Sequence, residues 1–530
     1  MKRKLLSLAL MLALCLAVFQ PALAQTVTLP VSQEKVTLTA MITRQSWNTV
    51  NFEDLPVVKA FEEETNIHIN WVVIPAESET ERIGLAFASG DLPDLFFGTR
   101  MPYDVVIRNA AEGTILPLNG LIEQYCPNLT ARFAVRPDIK ADLTFPDGNI
   151  YGLAKIDEKP LQSNQDNMFI NKEWLAKAGL AKPTTLDEFY NMLKVFKETD
   201  FNGNGVQDEI PFTFLPGSSS QGIHSLFGSF GVVDTPASGT HLMVQDSQLV
   251  YVPATDAYRE GLDFFHKLYE EGLIDMEAFT QTGAQYTAKV QEGNIGVFMA
   301  WQADSFAADA DNWDYMLPLK GANGGQMWYR TPGVAGLNIN GSDTGIFFAI
   351  TNKNQHVAET MKWIDYLCTG TNNLRQYYGT EGTGPDAGTG WYWNEDNLWV
   401  RVSDPAKALS DNAYSATMTF GPSTPSMLTY DEIISHQKLP VPAAKKNARE
   451  AEYSQFYPKE ELPAFKLTLE EVDTVSRITV DLDNEVDNMQ AYAIINGLSD
   501  GEWQEYVKNL SALGLEGYIQ VYSTAYDRVK

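Results

Sequence analysis

Apolar and polar positions along this chain follow two periods that take turns. Over Val36 to Met41, Val36, Leu38 and Ala40 face one way, the spacing of a half-buried strand. A loop carrying Trp47 follows. A helix then starts near Asp54, with Pro56 in its first turn and Val57, Val58 and Phe61 as its buried face. Ile67 to Ile74 is the next strand. The order strand, helix, strand implies a parallel sheet, because parallel neighbours need a crossover rather than a tight hairpin.

The alternation continues. Leu85 to Gly98 reads as a helix end, a Gly/Pro turn and a buried strand, and Leu116-Pro117-Leu118-Asn119 leads into a helix ending near Tyr125. Asp147 to Leu153 reads as a hairpin turn entering a strand, and Met168 to Ala178 as a strand followed by a helix. Pro183-Thr184-Thr185 opens a helix whose capping box pairs Thr185 with Glu188, with Leu186, Phe189, Leu193 and Phe196 as its apolar stripe. Beyond about residue 370 the pattern is mostly helical, with amphipathic runs near 468–496 and 500–513.

The N-terminus has a pattern of its own. Lys2, Arg3 and Lys4 precede an apolar run from Leu5 to Phe19, and Ala22-Leu23-Ala24 gives the small-x-small cleavage pattern. Residues 1–24 are therefore a secretory signal peptide, with the mature chain starting at Gln25. The run falls short of the roughly 20 residues that span a bilayer. Cys15 lies inside the apolar run and follows Leu14 rather than a small residue, so it reads as an ordinary signal-peptide residue and not a lipid-attachment site. That leaves Cys126 and Cys368, either bridged or two buried thiols.

Composition narrows the function. A net charge of −29, from 39 basic and 68 acidic residues, repels nucleic acid and anionic membrane. Eleven Trp and 23 Tyr are enough for both a core and an aromatic binding surface. No H-E-x-x-H, G-x-S-x-G or P-loop pattern occurs, and the six histidines are scattered. No catalytic residue is assigned, and the chain reads as a binding protein rather than an enzyme. A secreted glycoside hydrolase is the alternative class, since a carboxylate pair leaves no motif. A surface protein that holds polysaccharide without transport is the other.

Several segments in order carry a family likeness: Ser89-Gly90-Asp91-Leu92-Pro93-Asp94, Leu116 to Ile122, Asp200 to Pro211, Gly293 to Phe298, Ala358 to Leu367, Tyr378 to Gly382, and Ala525-Tyr526-Asp527-Arg528. Together they resemble the family 1 extracellular solute-binding proteins of ABC importers, in the large branch that includes alginate-oligosaccharide and lipoprotein-type binding proteins. The resemblance implies an α/β, two-lobed periplasmic-binding-protein-like fold of type II, with crossover hinge strands and a helical C-terminal region. It implies an oligosaccharide held in an interlobe cleft, hinge closure, and docking of a monomer on the transmembrane subunits of an ABC permease, outside the cell or in the periplasm. The first lobe is assigned to 36–154 plus 296–370 and the second to 155–295 plus 371–530.

Two sets of site residues follow. In Asp200 to Glu209, side-chain oxygens recur at alternate positions and Gly205 permits a sharp turn, the way a loop wraps a hard cation; the plain alternative is an ordinary Asn/Gly turn. Pro211 stands where an EF-hand has its bidentate Glu, and the resemblance gives that role to Glu209. The expected structural Ca2+ ligands are Asp200, Asn202, Asn204, the Val206 carbonyl, Asp208 and Glu209. Sugar rings stack on aromatic faces while their hydroxyls need polar partners. The candidates at strand ends and loops are Trp47, Arg100, Asn164, Gln165, Asp166, Trp301, Tyr329, Arg330, Tyr378, Glu381, Trp391 and Trp393. Trp47 and Trp301 stand first because they lie in loops; Trp71, Trp174 and Trp363 read as packing residues.

Overall fold

The computed structural model describes residues 27–530 apart from 46, 47, 49, 159–165, 219, 235–239, 330–344, 383–389, 403–419, 421–423, 430, 439–447, 450, 461 and 463–465. Residues 1–24, read above as a signal peptide, and Cys15 within them lie outside the described residues. The chain falls into two compact units, Met1–Lys155 with Gly345–His436 and Ile156–Thr344 with Gln437–Lys530.

Two four-stranded sheets organise these units. Their strands, in chain order, are β1 (Val36–Arg44), β2 (Ile67–Pro75), β3 (Leu95–Met101), β4 (Asn167–Asn171), β5 (Ile210–Thr213), β6 (Ile295–Ala300), β7 (Trp313–Tyr315) and β8 (Ile346–Ile350).

In the first unit the order is β8-β3-β1-β2. β1 pairs parallel with both β2 and β3, as the strand-helix-strand pattern requires, and β8 joins antiparallel to β3. β8, at one end of this order, is nevertheless buried at every position, and a strand covered on both faces reads as an unbroken apolar run. β2 is the opposite edge, where Val72 remains 44% exposed. Pro56 occupies the first turn of helix Pro56–Thr65, and a short 3-10 turn, Phe52–Asp54, precedes it. A buried carboxylate fastens two helices of this unit: Asp365, in helix Val357–Leu367, accepts from the backbone N–H groups of Asn128 and Leu129 at the start of helix Pro127–Val135.

In the second unit the order is β7-β4-β6-β5, with β6 antiparallel to β4 and parallel to β5. Both faces are covered. Met168, Ile170, Val297 and Met299 face a large core. Helices Leu186–Glu198, Asp256–Glu270, Thr479–Asn496, Asp500–Ala512 and Leu515–Asp527 all contribute buried residues to it. Phe169, Phe298 and Ala300 face a smaller cluster with Tyr286 and Trp313. The stripe Leu186, Phe189, Leu193 and Phe196 is buried as its spacing predicts.

The structure differs from the sequence reading in three places. The reading returns the chain to the first lobe at 296 and leaves it at 370, whereas the unit changes fall at 344/345 and 436/437. The reason is β6, whose backbone pairs with β4 and β5 and so belongs to the second sheet. The capping box at Thr185 is half formed: Thr185 accepts from the Glu188 N–H, but the Glu188 carboxylate takes its hydrogen bonds from Thr184. Past residue 370 the described chain also holds a small antiparallel hairpin, Trp391–Trp393 with Trp399–Arg401, ahead of the long C-terminal helices that begin at Leu469.

Candidate functional site

The turn after helix Leu186–Glu198 is wound around its own oxygens. The Asp200 carboxylate accepts from the backbone N–H groups of Gly203 (2.6 Å), Asn204 (3.2 Å) and Gly205 (2.8 Å). Gly203 and Gly205 hold φ of +73° and +79°, a backbone that L side chains rarely adopt. The side-chain amides of Asn202 and Asn204 each reach one oxygen of Asp208 at 2.9 Å. The Val206 N–H bonds the Asn204 Oδ1 at 2.7 Å. Glu209 closes the loop. Its Oε1 accepts from Phe201 N (2.7 Å) and Asn202 N (3.3 Å), and Phe201 is stacked on Trp174 with ring centroids 4.5 Å apart.

The second oxygen of Glu209 has no partner, although the residue is only 7% exposed. An ionised oxygen buried without a donor is costly unless a cation meets it. Asp200, Asn202, Asn204, Asp208 and Glu209 are joined by these hydrogen bonds within one turn, and an all-oxygen set of this kind suits a hard divalent ion. Among the described residues no group of three or more His, Cys, Asp or Glu side chains is gathered as a ready-made metal cluster. At this loop the carboxylates are engaged by the loop's own amides, and the Asn oxygens and the Val206 carbonyl would have to complete the set.

A second cluster lies where β4 begins and β6 ends. Asn167 pairs with Ala300, which places Trp301 one residue past the sheet. The Trp301 side chain is 40% exposed. Its backbone carbonyl accepts from Asn167 Nδ2 and from Arg449 Nη2, each at 3.3 Å. Beside it, Asp166 is buried and accepts from the Ser225 N–H (3.1 Å) and hydroxyl (2.6 Å), at the start of the 3-10 turn His224–Phe230. Burial pushes its carboxyl up to about 6, against the opposing pull of the Ser225 hydrogen bonds and of His224. Asp166 thus holds the turn and presents no free face.

The remaining candidates scatter. Tyr329 is buried in the second unit's core. Tyr378 and Trp391 are buried beside Trp399 in the first unit, the Trp391 indole N–H donating to the Gly379 carbonyl at 3.0 Å. Trp393 is half-exposed and stands edge-on to Trp391. Glu381 is exposed next to that hairpin, and Arg100 is exposed on β3, its backbone N–H held by Glu79 at 2.7 Å. Trp47, Asn164, Gln165 and Arg330 lie outside the described residues. The sequence reading passed over Asn167, which sits in an apolar strand, and Arg449, which sits among the charged residues Lys445, Lys446, Glu450 and Glu452.

Residues 47–369 match the family described as bacterial extracellular solute-binding protein. The chain belongs to that family. The fructooligosaccharide ABC transporter substrate-binding protein FusA of Streptococcus pneumoniae is 30% identical over 519 residues, covering 95% of this chain and 92% of the relative. Structures of FusA with kestose, and of its EF-hand mutant with fructo-nystose, each superpose with a TM-score of 0.81 at 28% identity, covering 93% of this chain and 99% of FusA. The alginate-binding protein AlgQ2, solved without calcium ion, shares the fold at a TM-score of 0.69 and 22% identity, over 94% and 99% of the two chains. The fold is accordingly that of the periplasmic solute-binding proteins, with the helical C-terminal region of this branch. Among the described residues of this family member no helix is long and apolar enough to cross a membrane.

Proposed function

We propose that this chain captures an oligosaccharide outside the cell or in the periplasm, releases it chemically intact to the transmembrane subunits of an ABC permease, and works as a monomer after signal-peptide cleavage. The observation that carries the reading is the 30% identity to FusA over almost the full length of both chains. It makes a neutral, fructose-rich oligosaccharide the first ligand to try. Uronic-acid oligomers rank lower, because a chain of net charge −29 repels a polyanion. Trp301, with its half-exposed ring at a strand end, is the leading stacking platform, and Trp393 the second. The chain catalyses no reaction in this reading, which accords with the lack of a recognised catalytic motif.

The loop Asp200–Glu209 is proposed to hold one Ca2+ ion. The unpartnered, buried oxygen of Glu209 supports this, and the ion would brace the loop rather than act on ligand.

Calorimetric titration with kestose and with a trigalacturonate, followed by chromatography of the recovered sugar, tests the reading. Kestose should bind and return unchanged. Binding of neither sugar, or release of shortened products, would overturn it.

A further inference from the structure

The loop that follows helix Leu186–Glu198 is exposed from 202 to 208 and buried at both ends, at Phe201 and Glu209. Those two ends hold each other. The Phe201 N–H donates to Glu209 Oε1 at 2.7 Å, and the Asn202 N–H donates to the same oxygen at 3.3 Å. A carboxylate is planar, and the Glu209 backbone leads directly into β5. With that backbone and Oε1 both held, the unpartnered Oε2 has little freedom in where it points.

Phe201 is itself fixed in the second unit's core. Its ring lies flat on Trp174, with centroids 4.5 Å apart and planes at 7°, and stands edge-on to Phe196 at 5.6 Å. Trp174 and Phe196 also meet edge to face at 5.3 Å, so each of the three rings touches the other two. Trp174 is 4% exposed, and its backbone N–H donates to Asn171 Oδ1 at 3.1 Å, at the last residue of β4. The Phe201 carbonyl accepts from Lys177 Nζ at 3.0 Å. Ring, carbonyl and N–H of this one residue are thus held by three different groups, and the N–H is the one that meets the Glu209 carboxylate. An exposed loop that must order itself to gather its oxygens spends binding free energy on that ordering. Groups outside the ligand set that orient a ligand beforehand reduce the cost.

We infer that Phe201 is a positioning residue for the cation loop: its ring, seated on Trp174, holds the N–H that aims Glu209 and so raises cation affinity without touching the ion. This rests on the reading of Asp200–Glu209 as a Ca2+ site.

The test is calorimetric titration of calcium into the chelator-stripped chain, for wild type, Phe201→Leu, Trp174→Leu and the double variant. Each is run well below its own melting temperature. Phe201→Leu keeps every side-chain oxygen and every backbone N–H of the loop and removes only the ring. It should weaken calcium binding by about ten-fold or more, the usual scale for a partner that orients a metal ligand from outside. Trp174→Leu should cost a similar factor. The double variant should be little weaker than either, because both changes act through one stack. Calcium affinity in Phe201→Leu equal to wild type would overturn the inference and leave the site standing, as would losses that multiply in the double variant. A wild-type chain that binds no calcium would overturn the site and the inference with it.

Terbium luminescence excited through tryptophan gives a second readout, since terbium(III) also prefers oxygen ligands and Trp174 lies one stacked ring from the loop. Trp174→Phe keeps a ring on Phe201, so calcium affinity should stay within about three-fold of wild type while the sensitised emission falls by more than about half. A loss of affinity as large as in Trp174→Leu would overturn the role of the stack. Undiminished emission would place the bound ion away from this loop and overturn both readings.

Discussion

Asp234 and His241 form a buried ion pair, with His241 Nδ1 2.8 Å from Asp234 Oδ1 and 3.0 Å from Oδ2. Burial works against both charges, but mutual attraction prevails: the Asp234 carboxyl is held well below the usual range and His241 is pushed up to about 9, helped by Asp483 and Asp487. His224 also faces Asp234, at 3.8 Å.

The sign of the pH effect follows. His241 has a folded value above its unfolded one, so its contribution is complete below about pH 6.5 and is lost as pH rises through about 9. Asp234 is depressed, so its contribution is present above about pH 4 and lost as pH falls. Asp166, raised to about 6, favours the fold below about pH 4 and loses that favour by about pH 6. Melting temperature should therefore fall between pH 6.5 and 9.5. The His241 contribution is on the order of 3 kcal/mol across that window. His241 sits at φ +53°, which Asn tolerates, so His241→Asn is the informative variant. It should melt lower at pH 5.5 and show a flatter decline towards pH 9.5. A decline as steep as wild type would refute the assignment.

The loop 200–209 gives a second prediction. Chelation should lower the melting temperature, because an ion bound only by the native state at 1,000 times its dissociation constant adds about 4 kcal/mol. Asp200→Ala confounds the test, since that carboxylate also accepts three backbone hydrogen bonds. Glu209→Gln keeps an oxygen for the Phe201 and Asn202 N–H groups while replacing the unpartnered oxygen with an amide. It should start near the chelated wild-type value and ignore further chelator. A wild-type curve unchanged after metal analysis shows the ion removed would count decisively against the site.

What could be read in the sequence was local. β1, helix Pro56–Thr65 and β2 follow from spacing, and the turn at Asp200 follows from oxygens and glycines within ten contiguous residues. The unit boundary after β6 did not follow, because a six-residue apolar run such as Ile295–Ala300 suits the middle of either sheet. The surroundings of Trp301 were also out of reach, since Asn167, Trp301 and Arg449 meet only through tertiary pairing. Tyr329, Tyr378 and Trp391 were aromatic candidates as Trp301 was, yet packing buries all three. Aromatic identity alone cannot separate these outcomes.

The cysteines provide a third prediction. Cys126 and Cys368 are free and buried in the first unit, their thiols directed at the Met361 and Pro425 carbonyls, each at 3.3 Å. Burial pushes both thiols well above their ordinary range, so little reactive thiolate exists at neutral pH. A thiol reagent should label neither cysteine in the native protein and both in denaturant without reductant. Labelling of neither in denaturant would reveal a disulfide and contradict the structure.

The last prediction separates two tryptophans. Trp301 is 40% exposed and Trp391 is fully buried, with its indole N–H bonded to the Gly379 carbonyl. Truncating a stacking ring removes ligand contact but little packing, so Trp301→Ala should weaken kestose binding by about five- to a hundred-fold with almost no change in melting temperature. Truncating a core ring does the reverse. Trp391→Ala leaves a cavity and an unpaired carbonyl, at a cost of about 3–5 kcal/mol, and the folded fraction should still bind kestose normally. Trp393→Ala, on the neighbouring half-exposed ring, decides whether the hairpin touches ligand at all: a selective loss of affinity adds it to the surface, and an unchanged titration removes it. If Trp301→Ala instead lowers the melting temperature as much as Trp391→Ala and leaves affinity intact, the ring is a packing residue and the platform must be sought elsewhere.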